Sequence, residues 1–269
     1  MTGTKVVKLR LDEEGSVGRL PNLMDAVVEK AVSVFARRNY FTLAKDGGEA
    51  YDHMLKDVQG FDVSRSQLQG ILGMLEEKYK HSPWRFTMIG PFLSALVEKS
   101  HENEFELVLT DKVQSIGYRL RDGKRITCIG DVGSAGDKMS GGLIMVKGDI
   151  GDLMGRDMTG GKIIVAGGAG NQTGYHMSGG EIEIKKSARD YPGCNMSGGK
   201  IKIGENAGNY AGFNMSKGEI HILGNANIGA GSGMSGGKIT VDGRIFGLIR
   251  DVKGGEIWEG GTQIWPKQK

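Results

Sequence analysis

One phrase, returning every 19 residues, constrains this chain more than anything else in it. Met-Ser-Gly-Gly stands at 139–142, 177–180, 196–199 and 234–237, with Met-Thr-Gly-Gly at 158–161 and Met-Ser-Lys-Gly at 215–218. The column Met139, Met158, Met177, Met196, Met215, Met234 never slips. A glycine stands three residues before each Met: Gly136, Gly155, Gly174, Gly193, Gly212 and Gly231. Self-similarity at a fixed period of this length is the signature of a solenoid, in which each repeat stacks on the next.

After each Gly-Gly come two apolar positions separated by one residue. The first reads Ile144, Ile163, Ile182, Ile201, Ile220, Ile239, and the second Val146, Val165, Ile184, Ile203, Ile222, Val241. Alternation with β-branched residues predicts a half-buried strand in every copy, both columns pointing inward. Parallel pairing between copies needs a long return connection, which the rest of each repeat supplies. The glycines then serve corners where φ is positive, and the Met thioethers fill the bends.

The outward columns test the register. One reads Leu143, Lys162, Glu181, Lys200, Glu219, Lys238, alternating in sign from 162 onward, as strands stacked about 4.8 Å apart require. The other reads Met145, Ile164, Glu183, Lys202, His221, Thr240. Leu143, Met145 and Ile164 therefore form an apolar patch that the N-terminal segment or a partner chain should cover. Near the end the spacing falls to 18 at Val252-Lys253-Gly254-Gly255, and Trp258, Ile264 and Trp265 follow. They read as a cap or a partner contact.

Ahead of the repeats the periodicity is helical. Residues 5–11 read as a short strand. Leu23, Met24, Val27, Val28, Ala31, Val32 and Phe35 place one face on a helix opening at Pro21. Further helices are expected over about 49–58, 64–80 and 90–100, the last starting at Gly90-Pro91. Strands are expected over 105–109, 116–120 and 126–129, with an imperfect first copy of the repeat near 120. The fold class is thus α+β: a mainly helical domain over 1–110, then a single-stranded parallel β-helix over 111–269 with 19-residue rungs.

Net charge is +3 with both signs interspersed, which argues against a nucleic-acid surface. Ser64-Arg65-Ser66-Gln67 opens a helix as a helix-turn-helix would, but one basic residue is too few for phosphate contacts, and a capped core helix is the better reading. No run approaches the length of a membrane span, and no leader pattern is visible, so a cytoplasmic protein is expected. Cys128 and Cys194 read as free thiols. The glycine-rich 130–136 and 167–174 lack the strand–helix context of a phosphate loop. Asp152, Asn171, Asp190 and Asn209, each 19 apart, form a polar column. It reads as a ladder of stacked side chains, with a hard-cation site as the lesser option. His176, beside Asp157, Asn195 and Asn214, falls in a surface column. No catalytic, cofactor-binding or metal-binding residue is assigned.

The Gly-x-x-Met-Ser-Gly-Gly-x-Ile-x-Val/Ile repeat, with Gly168-Ala169-Gly170-Asn171 and Asn206-Ala207-Gly208-Asn209 between copies, resembles the GXGXG β-helix. That family includes the β-helical subunit of formylmethanofuran dehydrogenase and the C-terminal domain of the glutamate synthase large subunit. The resemblance covers about 120–260 and implies a right-handed β-helix without active-site residues. It implies a scaffold in a multi-subunit oxidoreductase, more like the formylmethanofuran dehydrogenase component than the glutamate synthase one, with no cofactor of its own. Other protein subunits are the expected partners, among them catalytic subunits of a molybdenum or tungsten enzyme; a homo-oligomer is the alternative, and neither nucleic acid nor membrane is expected. A stand-alone interaction or ligand-binding protein and a glutamate-synthase-like accessory module are the other readings.

Overall fold

A computed structural model describes residues 23–37, 49–79, 81, 85–247 and 251–266. The strand expected at 5–11 and the Pro21 helix opening lie outside these residues. Among the described residues four helices come first: α1 (Leu23–Arg37), α2 (Glu49–Asp57), α3 (Arg65–Lys78) and α4 (Arg85–Lys99). Ten strands follow in one sheet whose spatial order is the chain order. They are β1 (Glu104–Val108), β2 (Arg125–Ile129), β3 (Ser140–Val146), β4 (Gly160–Val165), β5 (Glu181–Ile184), β6 (Ser197–Ile203), β7 (Lys217–Ile222), β8 (Ser235–Val241), β9 (Gly254–Glu259) and β10 (Thr262–Trp265). Each of β1 to β8 pairs in parallel with the next, and β10 turns back antiparallel on β9. The chain is a β-solenoid with helices at its start.

The 19-residue register holds through the middle rungs: Ile163 pairs Ile182, Ile182 pairs Ile201, and Ile201 pairs Ile220. Both apolar columns are buried, as is every Met of the repeat. Burying side chains of this size contributes about 1.5–3 kcal/mol each. A further inward column, Ile150, Ala169, Ala188, Ala207, Ala226, lines the opposite wall and joins neighbouring rungs through single parallel bridges.

The repeated phrase is a device for packing one rung on the next. The glycine three residues before each Met has positive φ, and it also makes room for an isoleucine of the next rung. A Cβ at Gly174 would lie 2.6 Å from Ile201 Cδ1, and one at Gly193 would lie 2.4 Å from Ile220 Cδ1. The second Gly of Gly-Gly makes room for the Met of the rung before: a Cβ at Gly199 would lie 2.6 Å from Met177 Cε. Met and glycine recur together because they touch across rungs.

Two more corner columns hold positive φ without glycine. Leu153, Gln172, Tyr191 and Tyr210 stand five residues before a Met, and Lys138, Asp157, His176, Asn195 and Asn214 one before, all with φ between 54° and 61°. This conformation costs a side chain about 1–2 kcal/mol. Here it turns each N–H toward the following rung: Tyr191 N donates to Asn209 O at 2.8 Å, and Asn195 N to Phe213 O at 2.8 Å. Corner amides that would otherwise lack partners are thereby satisfied.

The helices close the first rung. Ser64 caps α3 in a reciprocal capping box with Gln67, as the core-helix reading of that segment requires. Gly70, in the middle of α3, admits α1: a Cβ there would lie 2.7 Å from Met24 Sδ. From α3, Arg65 Nε donates to Glu104 O, and the Gln69 amide both donates to Val108 O and accepts from Val108 N. The outer edge of β1 is covered in this way rather than left open to pairing. One continuous apolar core runs from α1 to β9.

The sheet itself begins at Glu104, where β1 pairs with β2. Two expectations are corrected. Residues 116–120 form a corner, not a strand: Ile116 makes a single bridge to Ala135, Gly117 and Arg119 take positive φ, and Leu120 occupies the place of a Met. Helix α4 starts at Arg85 and runs through Pro91. Proline removes one helical hydrogen bond, but Phe92, Leu93, Leu96 and Val97 are all buried, and Gly90 lets the helix approach the Gln114 carbonyl.

Candidate functional site: the outer faces of the solenoid

With the interior filled by packing columns, chemistry is confined to outward side chains. The polar column forms a ladder, with one correction to its bonding. Each side chain accepts from the backbone of the next rung rather than from the next side chain. Asp152 Oδ1 accepts from Asn171 N at 2.6 Å, Asn171 Oδ1 from Asp190 N at 3.2 Å, and Asp190 Oδ1 from Asn209 N at 2.8 Å. A second ladder, unrecognised in the sequence, runs three residues earlier in each rung. There Asp149 Oδ1 accepts from Gly168 N, Asn206 Oδ1 from Asn225 N and Asn225 Oδ1 from Arg244 N, all at 2.8 Å. Its signal in the sequence is the column Asp131, Asp149, Ser187, Asn206, Asn225, which steps by 18 once and is broken by Gly168. Among the described residues no group of three His, Cys, Asp or Glu is placed to hold a metal ion.

The charge column pairs as its alternation predicts, in one direction along the stack. Lys162 meets Glu181 at 3.0 Å, Lys200 meets Glu219 at 3.0 Å and Lys238 meets Glu256 at 3.9 Å. Exposed pairs of this kind contribute little individually.

One ion pair is not on the surface. Asp137, 4% exposed, receives two hydrogen bonds from the Arg156 guanidinium of the next rung. Burial pushes the Asp137 carboxyl above its usual range while Arg156 pulls it back, and the same contact raises Arg156. Aspartate and arginine occur once each in this corner column, which continues as Tyr175, Cys194, Phe213. The repeat therefore offers no sign of the pair. Further along the corner, Tyr191 and Tyr210 stack at 5.0 Å with Phe213 edge-on to both, a contact between rungs.

The histidines and cysteines stay apart. His176 is exposed, stacks on Tyr175 and lies 3.5 Å from Asp157; His221 meets Asp242 at 2.9 Å on another face. Cys128 is fully buried, its thiol pushed up to about 12 by desolvation. Cys194 is also buried and raised for the same reason. Neither is an activated nucleophile, which needs a lowered pKa or an adjacent base.

Leu143, Met145 and Ile164 come together on the outer face of β3 and β4 and stay half-buried. The described helices pack on the edge of the first rung, α3 against β1, rather than on β3 and β4. Val108 (46% exposed) and Ile129 (38% exposed), paired on β1 and β2, extend the apolar area by a column. Trp258 and Trp265 lie at the far end and do not join it. Trp258 sits beside Thr240 on the outer face under Lys238, whose Nζ is 4.9 Å from the ring centroid. Trp265 is on β10 and packs with Ile264 against the last rung as a cap.

No described helix is long and apolar enough to cross a membrane. No protein-family model and no curated protein matches the chain.

Proposed function

We propose that this chain is a non-catalytic scaffold subunit of a multi-subunit oxidoreductase, similar in role to the β-helical subunit of formylmethanofuran dehydrogenase, and that its solenoid is a right-handed β-helix of the GXGXG type. One observation carries the reading: the apolar area of Leu143, Met145 and Ile164, widened by Val108 and Ile129, lies flat on the outer face of the first four rungs. Apolar residues grouped on a rigid outer surface mark a protein contact. The rest of the solenoid supports it. Interior columns pack, polar ladders accept backbone N–H groups, and both thiols are buried, leaving a stiff column suited to holding other subunits in place.

The partners follow as other protein subunits, including a catalytic subunit carrying a molybdenum or tungsten pterin, in the cytoplasm. Purification of the tagged chain from native extract tests this. Recovery with such a subunit is the expected outcome; recovery as a homomer alone overturns it.

A further inference from the structure

A second surface, on a different wall from the apolar face, has the chemistry of a small-molecule site. Between the two polar ladders the middle rungs enclose a groove of about 570 Å³. Gly208 lines it without a side chain, and a Cβ there would lie 2.3 Å from Asp190 Oδ1. The same column carries Arg189 one rung before and Asn227 and Phe246 in the rungs after, which also line the groove. Asn206 and Asn225 line one side and Asp190 the other.

The ladders orient these groups. Asn206 and Asn225 each hold a backbone N–H through Oδ1, which identifies the other amide atom as Nδ2 and leaves it as a donor. Asp190 uses one oxygen on Asn209 N and keeps acceptor capacity on its second. Side chains already fixed by such bonds lose little freedom when a ligand docks. The groove thus offers amide donors, a carboxylate acceptor and the exposed Arg189 guanidinium, with the charges of Arg189 and Asp190 balanced. Phe246 is 51% exposed and presents an aromatic ring at the end of the polar run. A neutral ligand rich in hydroxyls, with an apolar C–H face to lie on the ring, fits this set.

We propose that this groove binds a neutral saccharide, its hydroxyls held by Arg189, Asp190, Asn206, Asn225 and Asn227 and one sugar ring stacked on Phe246. The test is calorimetric titration of the full chain with maltohexaose and cellohexaose, and with hexagalacturonate as the charged counterpart. Binding of a neutral hexasaccharide, weakened about tenfold by Phe246→Ala, is expected. Both Phe246→Ala and Arg189→Ala alter exposed side chains, and an unchanged circular dichroism spectrum and unfolding midpoint show that the fold is kept. Absence of binding by both neutral sugars overturns the proposal. So does binding of hexagalacturonate alone that Arg189→Ala abolishes and Phe246→Ala leaves intact, which would mark an anion site. Neither result bears on the scaffold reading, which rests on a different outer face.

Discussion

Replacing Gly174 by alanine tests the packing logic of the repeat at its centre. Gly174 has φ +67°, and a Cβ there would sit 2.6 Å from Ile201 Cδ1. The left-handed backbone costs an alanine about 1–2 kcal/mol. Forcing an extra methyl into a filled interior adds about 1–3 kcal/mol. Ile201 is 1% exposed in a close-packed interior, so its Cδ1 has little room to retreat. The sum is a loss of about 2–5 kcal/mol. Shortening the isoleucine separates the two terms. Ile201→Val alone should cost about 0.5–1.5 kcal/mol, but in the Gly174→Ala background it removes the clashing atom. Urea unfolding of the four proteins of this cycle should show the double variant at least about 1 kcal/mol more stable than additivity allows. Gly73→Ala is a control, since the helical Gly73 has open space around its missing Cβ; there alanine should be neutral or stabilise by up to about 1 kcal/mol. Strict additivity in the cycle, or a Gly174→Ala loss no larger than the backbone cost alone, would refute the cross-rung contact.

Three further outcomes follow from the outer faces and the core. Asp152→Ala removes the acceptor of Asn171 N and should lower stability by about 0.5–1.5 kcal/mol, whereas Asp152→Asn keeps an acceptor and should stay near wild type in the same unfolding assay. Cys128 and Cys194 should both resist a thiol reagent at neutral pH in the native protein and react in urea, as mass spectrometry of labelled peptides will show. Backbone and side-chain hydrogen bonds from His101 hold Asp62 below its usual pKa. Its contribution is therefore complete above the ordinary aspartate pKa and disappears as pH falls through the lowered one. Asp62→Asn should flatten that part of the stability–pH curve, with its loss of stability seen at neutral pH and little change below the lowered pKa.

Much of the solenoid is readable because a stacked repeat writes each spatial column as a fixed sequence interval. The Ile columns, the glycine corners and the Lys–Glu alternation all derive from that one constraint. Features that occur once are not readable. Asp137 and Arg156 are a pair only because one rung places aspartate where the next places arginine. Leu153 and Tyr210 show no outward sign of positive φ, since the hydrogen bond that favours it belongs to the following rung. Pro91 reads as a helix start because local propensity favours one there, while burial of Phe92 through Val97 carries the helix past it. The apolar face is visible in its columns, but that the described helices leave it uncovered depends on α3 docking through Arg65 and Gln69 to the edge of β1.

The most direct test of the scaffold reading compares two tagged chains purified side by side from native extract: the wild type, and a variant carrying Met145→Glu and Ile164→Lys, which keeps the charge alternating toward Glu183. Both positions are half-buried on the outer face, so the variant should keep the wild-type circular dichroism spectrum and remain a solenoid. The wild type should bring down a molybdenum- or tungsten-pterin subunit, and the folded variant should not. Equal recovery of that subunit by both chains, or its absence from both, would contradict the scaffold role.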